Sequence, residues 1–495
     1  MESLQFLLNG FATALQPANL IFALLGCLIG TLVGVIPGIG ASGATALCIP
    51  VTFALAPTPA IIMLAAIYYG AMYGGTITSV LVNVPGEPAS AITCLDGYQM
   101  ARKGRAGVAL TVAAIGSFFG GIVGVAVLVF VALPLSDLAL RFGPPEFFAL
   151  LIMGLAMVTG LAGNSIVRSL ISAIIGLVIG MIGMDPVQGS PRLTFGSIHL
   201  LGGIDIVPVV MGLFGITEIM INVESPMHQI FEKISTLIPT REDVRRSIWP
   251  VLRGTGIGLF LGLIPGIGNM IPTFISYTTE MRVSKTPEKF GTGMIEGVAG
   301  PETANNAYTA GALIPLFTLG IPASPTLAVL MGALMMNGLL PGPMLFKEHG
   351  SFIWAVIASM IIGNVMLLIL NLPLIPMWVA VLKIPYSILF TFILGFSIVG
   401  AYSVGGNVFG VVVMLVSGLL GYVFKKLDIP LAPFTLTFIL GPLLEKALRQ
   451  SLEMSGGDLS IFYTRPLTAT VLVIAAIVLV VFSMPALKKI KEDTS

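Results

Sequence analysis

A chain of 495 residues that is 56% hydrophobic and 9% charged, with a mean hydropathy of +1.01, carries far fewer charges than the roughly 25% of a soluble protein and reads as dissolved in a lipid bilayer. Its 24 Lys and Arg against 23 Asp and Glu leave a net charge of +1, which offers no electrostatic footprint for nucleic acid. Three cysteines without paired spacing and three scattered histidines point to neither a disulfide framework nor a metal site, and no GxxxxGKS or GxxxxGKT loop is present for nucleotide hydrolysis.

The N-terminus, MESLQFLLNG, lacks the basic opening of a signal peptide. A membrane helix takes about 20 mostly apolar residues, and the first half offers 18–36, 41–56, 58–82, 105–133, 146–163, 166–183 and 204–222. In the first of these, Gly26, Gly30 and Gly34 recur every fourth residue, so they share one helix face where a second backbone can approach closely. Pro37-Gly38-Ile39-Gly40 then stops the helix, because proline lacks a backbone donor and glycine permits positive φ. Segment 41–56 begins at that break and has the length of a half-helix. The stretch 83–98 carries Pro85 and Pro88 and reads as a re-entrant hairpin. The polar segment 223–247 divides the chain.

Beyond it the pattern returns. GTGIGLFLGLIPGIG at 254–268 repeats GCLIGTLVGVIPGIG at 26–40 with a constant offset (254 − 26 = 228), so Pro265, Gly266 and Gly268 answer Pro37, Gly38 and Gly40. The second half offers 248–265, a half-helix 269–280, then 303–320, 351–372, 385–403, 406–424, 430–447 and 466–486. A second match pairs Asn83-Val84-Pro85-Gly86-Glu87-Pro88 with Gly320-Ile321-Pro322-Ala323-Ser324-Pro325 at a larger offset (322 − 85 = 237). The difference places an insertion in the polar loop 281–300, and makes 321–340 the second re-entrant hairpin. Basic residues set orientation. Arg102, Lys103 and Arg105 and the cluster Arg241, Arg245, Arg246 are expected in the cytoplasm, with Lys425, Lys426 and the C-terminal lysines, leaving the N-terminus outside. An odd number of crossings then separates the two glycine segments, so the copies run in opposite directions. Apolar helices broken alike in two halves point to a transporter built from repeats. The expected fold is an all-α polytopic membrane protein of about 12–15 membrane segments, with two inverted-topology repeats, broken helices and re-entrant hairpins. Its divisions are 1–222, a cytoplasmic linker 223–247, a second repeat 248–380, and C-terminal helices 381–495.

Polar groups at bilayer depth are costly and point to function. The densest set is GPETANNA at 300–307, where Glu302, Asn305 and Asn306 occupy i, i+3 and i+4 on one face at the expected start of a helix. A carboxylate there holds a cation or proton, or else complements the helix dipole as a simple cap. Ser42 and Asn269 follow the two breaks, where half-helix N–H groups form an anion site or where both residues merely cap. Asn83, Glu87 and Ser324 occupy the hairpin tips, with Glu87 equally readable as a wet loop residue. Asp96 and Asp205 read as solvated ends, Asn364 as an interhelical hydrogen bond, and Arg168 as a snorkelling end residue.

These motifs carry a resemblance. The two PGIG elements and EGVAGPETANNAYTAGALIPLFTLGIPASP resemble the large membrane subunit of the tripartite tricarboxylate transporters, in motifs from about Gly26 to Pro343 and in hydropathy beyond. The family usually has GIPGSP where Ala323 stands here in GIPASP. The resemblance implies no enzyme but a translocating subunit of a binding-protein-dependent secondary transporter in a bacterial inner membrane. It would import organic di- or tricarboxylates such as citrate on a sodium or proton gradient, with no cofactor. The implied partners are a small integral membrane subunit and a periplasmic solute-binding protein; a homodimer of the transport unit stays open. The breaks and hairpins (Pro37, Gly38, Gly40, Ser42, Asn83, Pro85, Gly86, Pro265, Gly266, Gly268, Asn269, Pro322, Ser324) with Asn305 and Asn306 would meet substrate, and Glu302, Asn305 and Thr309 the coupling ion. The rival reading is a stand-alone carboxylate transporter or channel. An intramembrane enzyme is disfavoured by the lack of HExxH, GxSxG or a spaced acidic pair in an apolar segment.

Overall fold

The structure is a computed structural model that describes residues 2–36, 40–161, 165–185, 189–224, 237–381 and 386–493. The first half forms α1 (Glu2–Ala14), α2 (Pro17–Val35), α3 (Gly40–Thr52), α4 (Pro57–Val82), α5 (Thr93–Arg102), α6 (Ala106–Ala139), α7 (Pro144–Leu161), α8 (Ile166–Gly180), α9 (Ile206–Val210) and α10 (Thr217–Glu224), with a π-helical turn joining the last two. After 225–236, which lie outside the described residues, come α11 (Arg241–Gly262), α12 (Met270–Val283), α13 (Glu296–Gly311), α14 (Leu313–Leu319), α15 (Pro325–Met336) and α16 (Pro343–Glu348). The chain closes with α17 (Gly350–Asn371), α18 (Ile375–Val381), α19 (Tyr386–Gly405), α20 (Val408–Lys426), α21 (Leu431–Met454), α22 (Ile461–Thr464) and α23 (Pro466–Asp493). Gly183–Met184 and Pro191–Arg192 pair as a short antiparallel ribbon. The protein is an all-α polytopic membrane protein. Among the described residues six helices are long and apolar enough to cross a bilayer, and seven shorter apolar ones accompany them.

Most expected segments appear within a few residues of their predicted bounds, because a run of apolar residues in lipid has no cheaper way to satisfy its backbone. Three departures are informative. α1 was not expected, since polar residues interrupt its apolar run; it packs on α17, with Gly10 against the Trp354 carbonyl. α11 begins at Arg241, so the end of the polar segment is already helical, capped by the Thr240 hydroxyl and Asp243. α13 begins at Glu296, well before Glu302, and passes through Pro301. Pro301 resembled a first-turn proline, but the chain tolerates it inside the helix at the cost of one backbone hydrogen bond.

The glycine faces decide how the elements pack. An added Cβ at Gly26, Gly30 or Gly34 would fall 2.2–2.5 Å from the carbonyls of Met63, Ile67 and Ala71, so α2 lies backbone to backbone on α4. An added Cβ at Gly254 or Gly258 would likewise fall 2.3 or 2.2 Å from the carbonyls of Gly300 and Ala304, which lays α11 on α13. Met63 and Gly300, and Ile67 and Ala304, are separated by the same 237 positions that separate the two proline turns. α12 folds back along α11, held by a bidentate Arg253–Glu280 pair at 2.8 and 2.5 Å. The second break is therefore a point where the chain reverses.

Asp96 corrects the expectation of a solvated end. It is fully buried on α5 and accepts from the Tyr277 hydroxyl (2.8 Å) and the backbone N–H groups of Gly291, Gly293 and Met294 (3.1, 2.7 and 2.7 Å). Its partners come from a loop far away in sequence, so composition around Asp96 could not announce them. Nearby, Arg105 pairs with Asp243 at 2.5 Å and Lys103 donates to the Thr292 carbonyl at 2.5 Å, so the two basic clusters share one end of the molecule. Asp205 is an exposed cap of α9, Asn364 accepts from Tyr73 at 3.2 Å, and Arg168 meets exposed Asp428 at 3.3 Å.

Two glycines on α11 test the packing rule. Gly258→Ala should destabilise by about 1–3 kcal/mol through overpacking against Ala304 and lower the yield of folded protein. Gly256, which is exposed and whose added Cβ meets nothing within 4 Å, should accept Ala with no loss, or with a gain of up to about 1 kcal/mol. Thermal unfolding of the detergent-purified protein, with equal effects at both sites, would contradict the close-approach role.

Candidate functional site

Each break ends one helix and starts another. At the first, α2 stops at Ile36 in extended conformation and α3 starts at Gly40 with φ 67°. Pro37 and Gly38 lie outside the described residues. At the second, Pro265 is buried, Gly266 and Gly268 take φ 83° and 71°, and Asn269 precedes α12. Positive φ at these glycines is what lets the chain turn back within the membrane without a clashing Cβ.

The two proline turns have matching geometry. Asn83 ends α4 in the left-handed region (φ 59°, ψ 30°), and Gly320 ends α14 in the same region (φ 70°, ψ 26°). Glu87 and Ser324 then take extended conformations, and Pro88 and Pro325 open the next helical turns. Gly86 is pressed against the Gly34 carbonyl, where a Cβ would sit only 1.9 Å away, so this position admits glycine alone. Its counterpart Ala323 has room for a methyl group and is fully buried.

Breaks and turns meet. The Ser42 hydroxyl in the first turn of α3 hydrogen-bonds the Thr326 hydroxyl in the first turn of α15 at 2.8 Å. In the other direction α12 packs against the Pro88–Ala91 turn. The Ala323 carbonyl accepts from the Gly268 N–H at 3.3 Å and from the Tyr308 hydroxyl at 3.0 Å. The Glu87 carboxylate, 4% exposed, faces the start of α3 at Gly40 and Ala41. Ser324 caps α15 by accepting from the Leu327 N–H at 3.3 Å. Asn269 makes no cap; its amide donates to the Met72 sulfur at 3.1 Å. Asn83 and Pro85 are exposed at the rim, while Pro322 and Ser324 are enclosed.

The GPETANNA face divides into satisfied and unsatisfied groups. Both Glu302 oxygens are taken, by the Thr76 hydroxyl at 2.6 Å and the Thr93 hydroxyl at 2.5 Å, so this carboxylate ties α13 to α4 and α5. It stands in mid-helix, which removes the cap reading. Asn306 donates to the Glu302 carbonyl at 3.2 Å, and Thr309 to the Asn305 carbonyl at 2.9 Å. Neither polar atom of the Asn305 side chain has a partner, although the residue is fully buried. The Tyr68 hydroxyl, facing Thr309 and Ser324, and Glu87 Oε1 are also buried without a partner. An unpaired buried polar group costs about 1–3 kcal/mol, so each such group calls for an explanation.

Tyr68 and Asn305 occupy the same place in the two halves, 237 positions apart. Sequence reasoning missed Tyr68 because a lone tyrosine in an apolar helix reads as core. The turn offset, carried back along α4, was the signal that could have found it. It missed Thr76 and Thr93 too, which no local pattern distinguishes from packing threonines. Among the described residues no group of three or more His, Cys, Asp or Glu gathers as a metal site would.

The family model described as the tripartite tricarboxylate transporter TctA family matches residues 20–436. An uncharacterized 52.8 kDa protein in the TAR-I ttuC' 3' region of Agrobacterium vitis is 45% identical over 495 residues, which is 100% of this chain and 98% of that one. A second uncharacterized protein, in the TAR-II ttuC' 3' region of the same organism, is 45% identical over 236 residues, 48% of this chain and 98% of its own length. No solved structure matches.

The division between satisfied and unsatisfied groups predicts opposite stability effects at Asn305 on α13 and Thr93 on α5. Asn305→Leu should leave thermal stability unchanged or raise it, since it removes orphaned polar atoms. Thr93→Val should lower stability by about 1–3 kcal/mol, since it strips a donor from a buried carboxylate. Unfolding curves of the two variants in detergent, with Asn305→Leu the more damaging, would show that Asn305 serves the fold.

Proposed function

Because this chain belongs to the tripartite tricarboxylate transporter TctA family, we propose that it is the translocating membrane subunit of a binding-protein-dependent secondary transporter for organic di- or tricarboxylates, driven by a sodium or proton gradient. The observation that carries the reading is the pair Tyr68 and Asn305, buried without partners at equivalent positions on α4 and α13, the helices on which the two broken helices pack. A polyanionic carboxylate entering between the ends of α3 and α12 would meet backbone N–H donors from both, at the positive ends of two helix dipoles. The Tyr68 hydroxyl and the Asn305 amide would supply side-chain donors. Glu87 supports the first half of this picture, since its carboxylate already rests where a substrate carboxylate would rest on α3.

The coupling ion is assigned to the Glu302, Asn305 and Thr309 side of α13, with carbonyls freed at the breaks. The matched caps and turns support two inverted repeats, and the moving unit would carry both proline turns as gates. One turn is open at its rim and the other enclosed, which suits a conformation accessible from one side. A periplasmic solute-binding protein would deliver the carboxylate and a small integral membrane subunit would complete the complex. The complex would sit in a bacterial inner membrane, with the N-terminus outside and the C-terminus in the cytoplasm.

The test is uptake of labelled carboxylate by proteoliposomes holding the full complex under an imposed ion gradient. Asn305→Leu and Tyr68→Phe should each lower uptake about ten- to hundredfold, the equivalent of one lost hydrogen bond to a desolvated charge. Glu302→Gln should insert normally but lose the response to the gradient. Wild-type uptake in all three variants would remove α13 from the pathway. Uptake by this chain alone, at the rate of the complex, would replace the partner-dependent reading with a stand-alone transporter.

A further inference from the structure

Far from the breaks, at the end where α11 begins and α12 finishes, the surface holds a cavity of about 470 Å³. Five cationic and three acidic side chains line it. Two of the cations are already neutralised: Arg246 forks onto Glu296 at 2.7 and 2.8 Å, and Arg253 onto Glu280. Arg245, Lys285 and Lys289 remain, all exposed and none in an ion pair among the described residues, against the single acidic residue Glu242. The cavity therefore keeps a surplus of positive charge that the protein itself does not use.

Its surroundings say what kind of anion suits it. Past the cationic rim the outward face of α11 carries Ile248 and Leu252, exposed at 50% and 45%, and continues to Phe260 at 67%. On α12 the exposed residues Phe274 and Ile275 lead up to the same rim. Apolar faces left bare in a membrane protein face acyl chains. Trp249, 65% exposed, lies one turn beyond Arg245 inside the cavity. That is the level at which indole rings anchor in bilayers, with the ring in the interface and cations above it. A ligand that fits must present an anionic head to three cations and two hydrocarbon chains to the faces below.

We infer that this cavity binds the headgroup of an anionic phospholipid, with the phosphate held by Arg245, Lys285 and Lys289 and the chains laid along α11 and α12. Basic pockets between membrane helices hold such headgroups by this division of labour. The site is separate from the carboxylate pathway, and its occupancy would hold α12 against α11 at the end opposite the second break. Free inorganic phosphate shares the charge but not the chains, and so would miss half of the contact.

The chain carries its own reporter. Of its three tryptophans, Trp354 and Trp378 are 2% and 3% exposed, so Trp249 alone faces lipid. The full-length protein is reconstituted in phosphatidylcholine vesicles containing a minor fraction of phosphatidylglycerol, with bromine placed on the chains of one lipid or the other, and tryptophan quenching is followed. Brominated phosphatidylglycerol should quench at an apparent affinity about tenfold or more above brominated phosphatidylcholine, from the surplus cations at the surface. The triple variant Arg245→Gln, Lys285→Gln, Lys289→Gln should bring the two lipids within about twofold. Should that variant fail to insert, high salt on the wild-type protein gives the same reading, because screening must abolish the preference. Equal quenching by both lipids in the wild type overturns the site. So does a preference that survives the variant or high salt. Displacement of the brominated lipid by inorganic phosphate or glycerol phosphate at matched concentration would make it a soluble-anion site and overturn the lipid assignment.

Discussion

Everything in this molecule answers to one constraint: hydrocarbon cannot accept or donate a hydrogen bond. A helix satisfies that constraint until it breaks, and this chain breaks its helices on purpose at two PGIG elements and two proline turns. Each break releases several backbone groups, whose exposure to lipid costs several kcal/mol apiece. The protein responds by gathering the breaks in one place. Ser42 reaches Thr326, Gly268 and Tyr308 share the Ala323 carbonyl, and α12 covers the Pro88 turn. The interior polar site is thus a consequence of the breaks: it collects what lipid would not tolerate.

Close backbone packing makes this gathering possible. With Gly26, Gly30 and Gly34 on α4, and Gly254 and Gly258 on α13, the broken helices lie nearer to their neighbours than any side chain would allow. In lipid the gain comes from dispersion contacts made over long lengths, since no hydrophobic driving force operates between helices there. The same approach forces Gly86 against the Gly34 carbonyl, which locks the first proline turn to the first glycine helix. Ala323 at the matching point shows that the second turn is held differently, through hydrogen bonds to its carbonyl. The halves share a backbone plan and differ in chemistry, with Glu87 in one where Ser324 stands in the other.

Buried polar residues in this fold belong to two economies. Asp96 and Glu302 are fully supplied with donors, and both act as ties between segments distant in the chain. Asn305, Tyr68 and Glu87 keep atoms without partners at no visible structural benefit. A charge-rich segment and a costly carboxylate look alike until their partners are known, and the second group alone keeps hydrogen-bonding capacity that the surrounding protein leaves unfilled.

The sequence by itself determined the solvent, the helices and the breaks. Apolar run length decides what spans a bilayer, and Pro with Gly decides where a helix stops, so α2, α4, α6 and the ends of α2 and α11 were legible in the residues alone. The duplication was legible too, because a constant offset between glycine patterns needs no structure to be seen. α1 and the early start of α13 were not, since polar residues in the first and Pro301 in the second imitate a boundary that tertiary packing overrides. The tertiary structure alone decided which polar groups are spent and which are free. Glu302 finds its donors 226 and 209 residues away, on Thr76 and Thr93, and Asp96 finds its own as far off. Tyr68 is marked as a candidate only by the matching places that α4 and α13 give to it and Asn305. Hydrogen-bond supply is a property of what surrounds a residue in space, and the local sequence records only the residue.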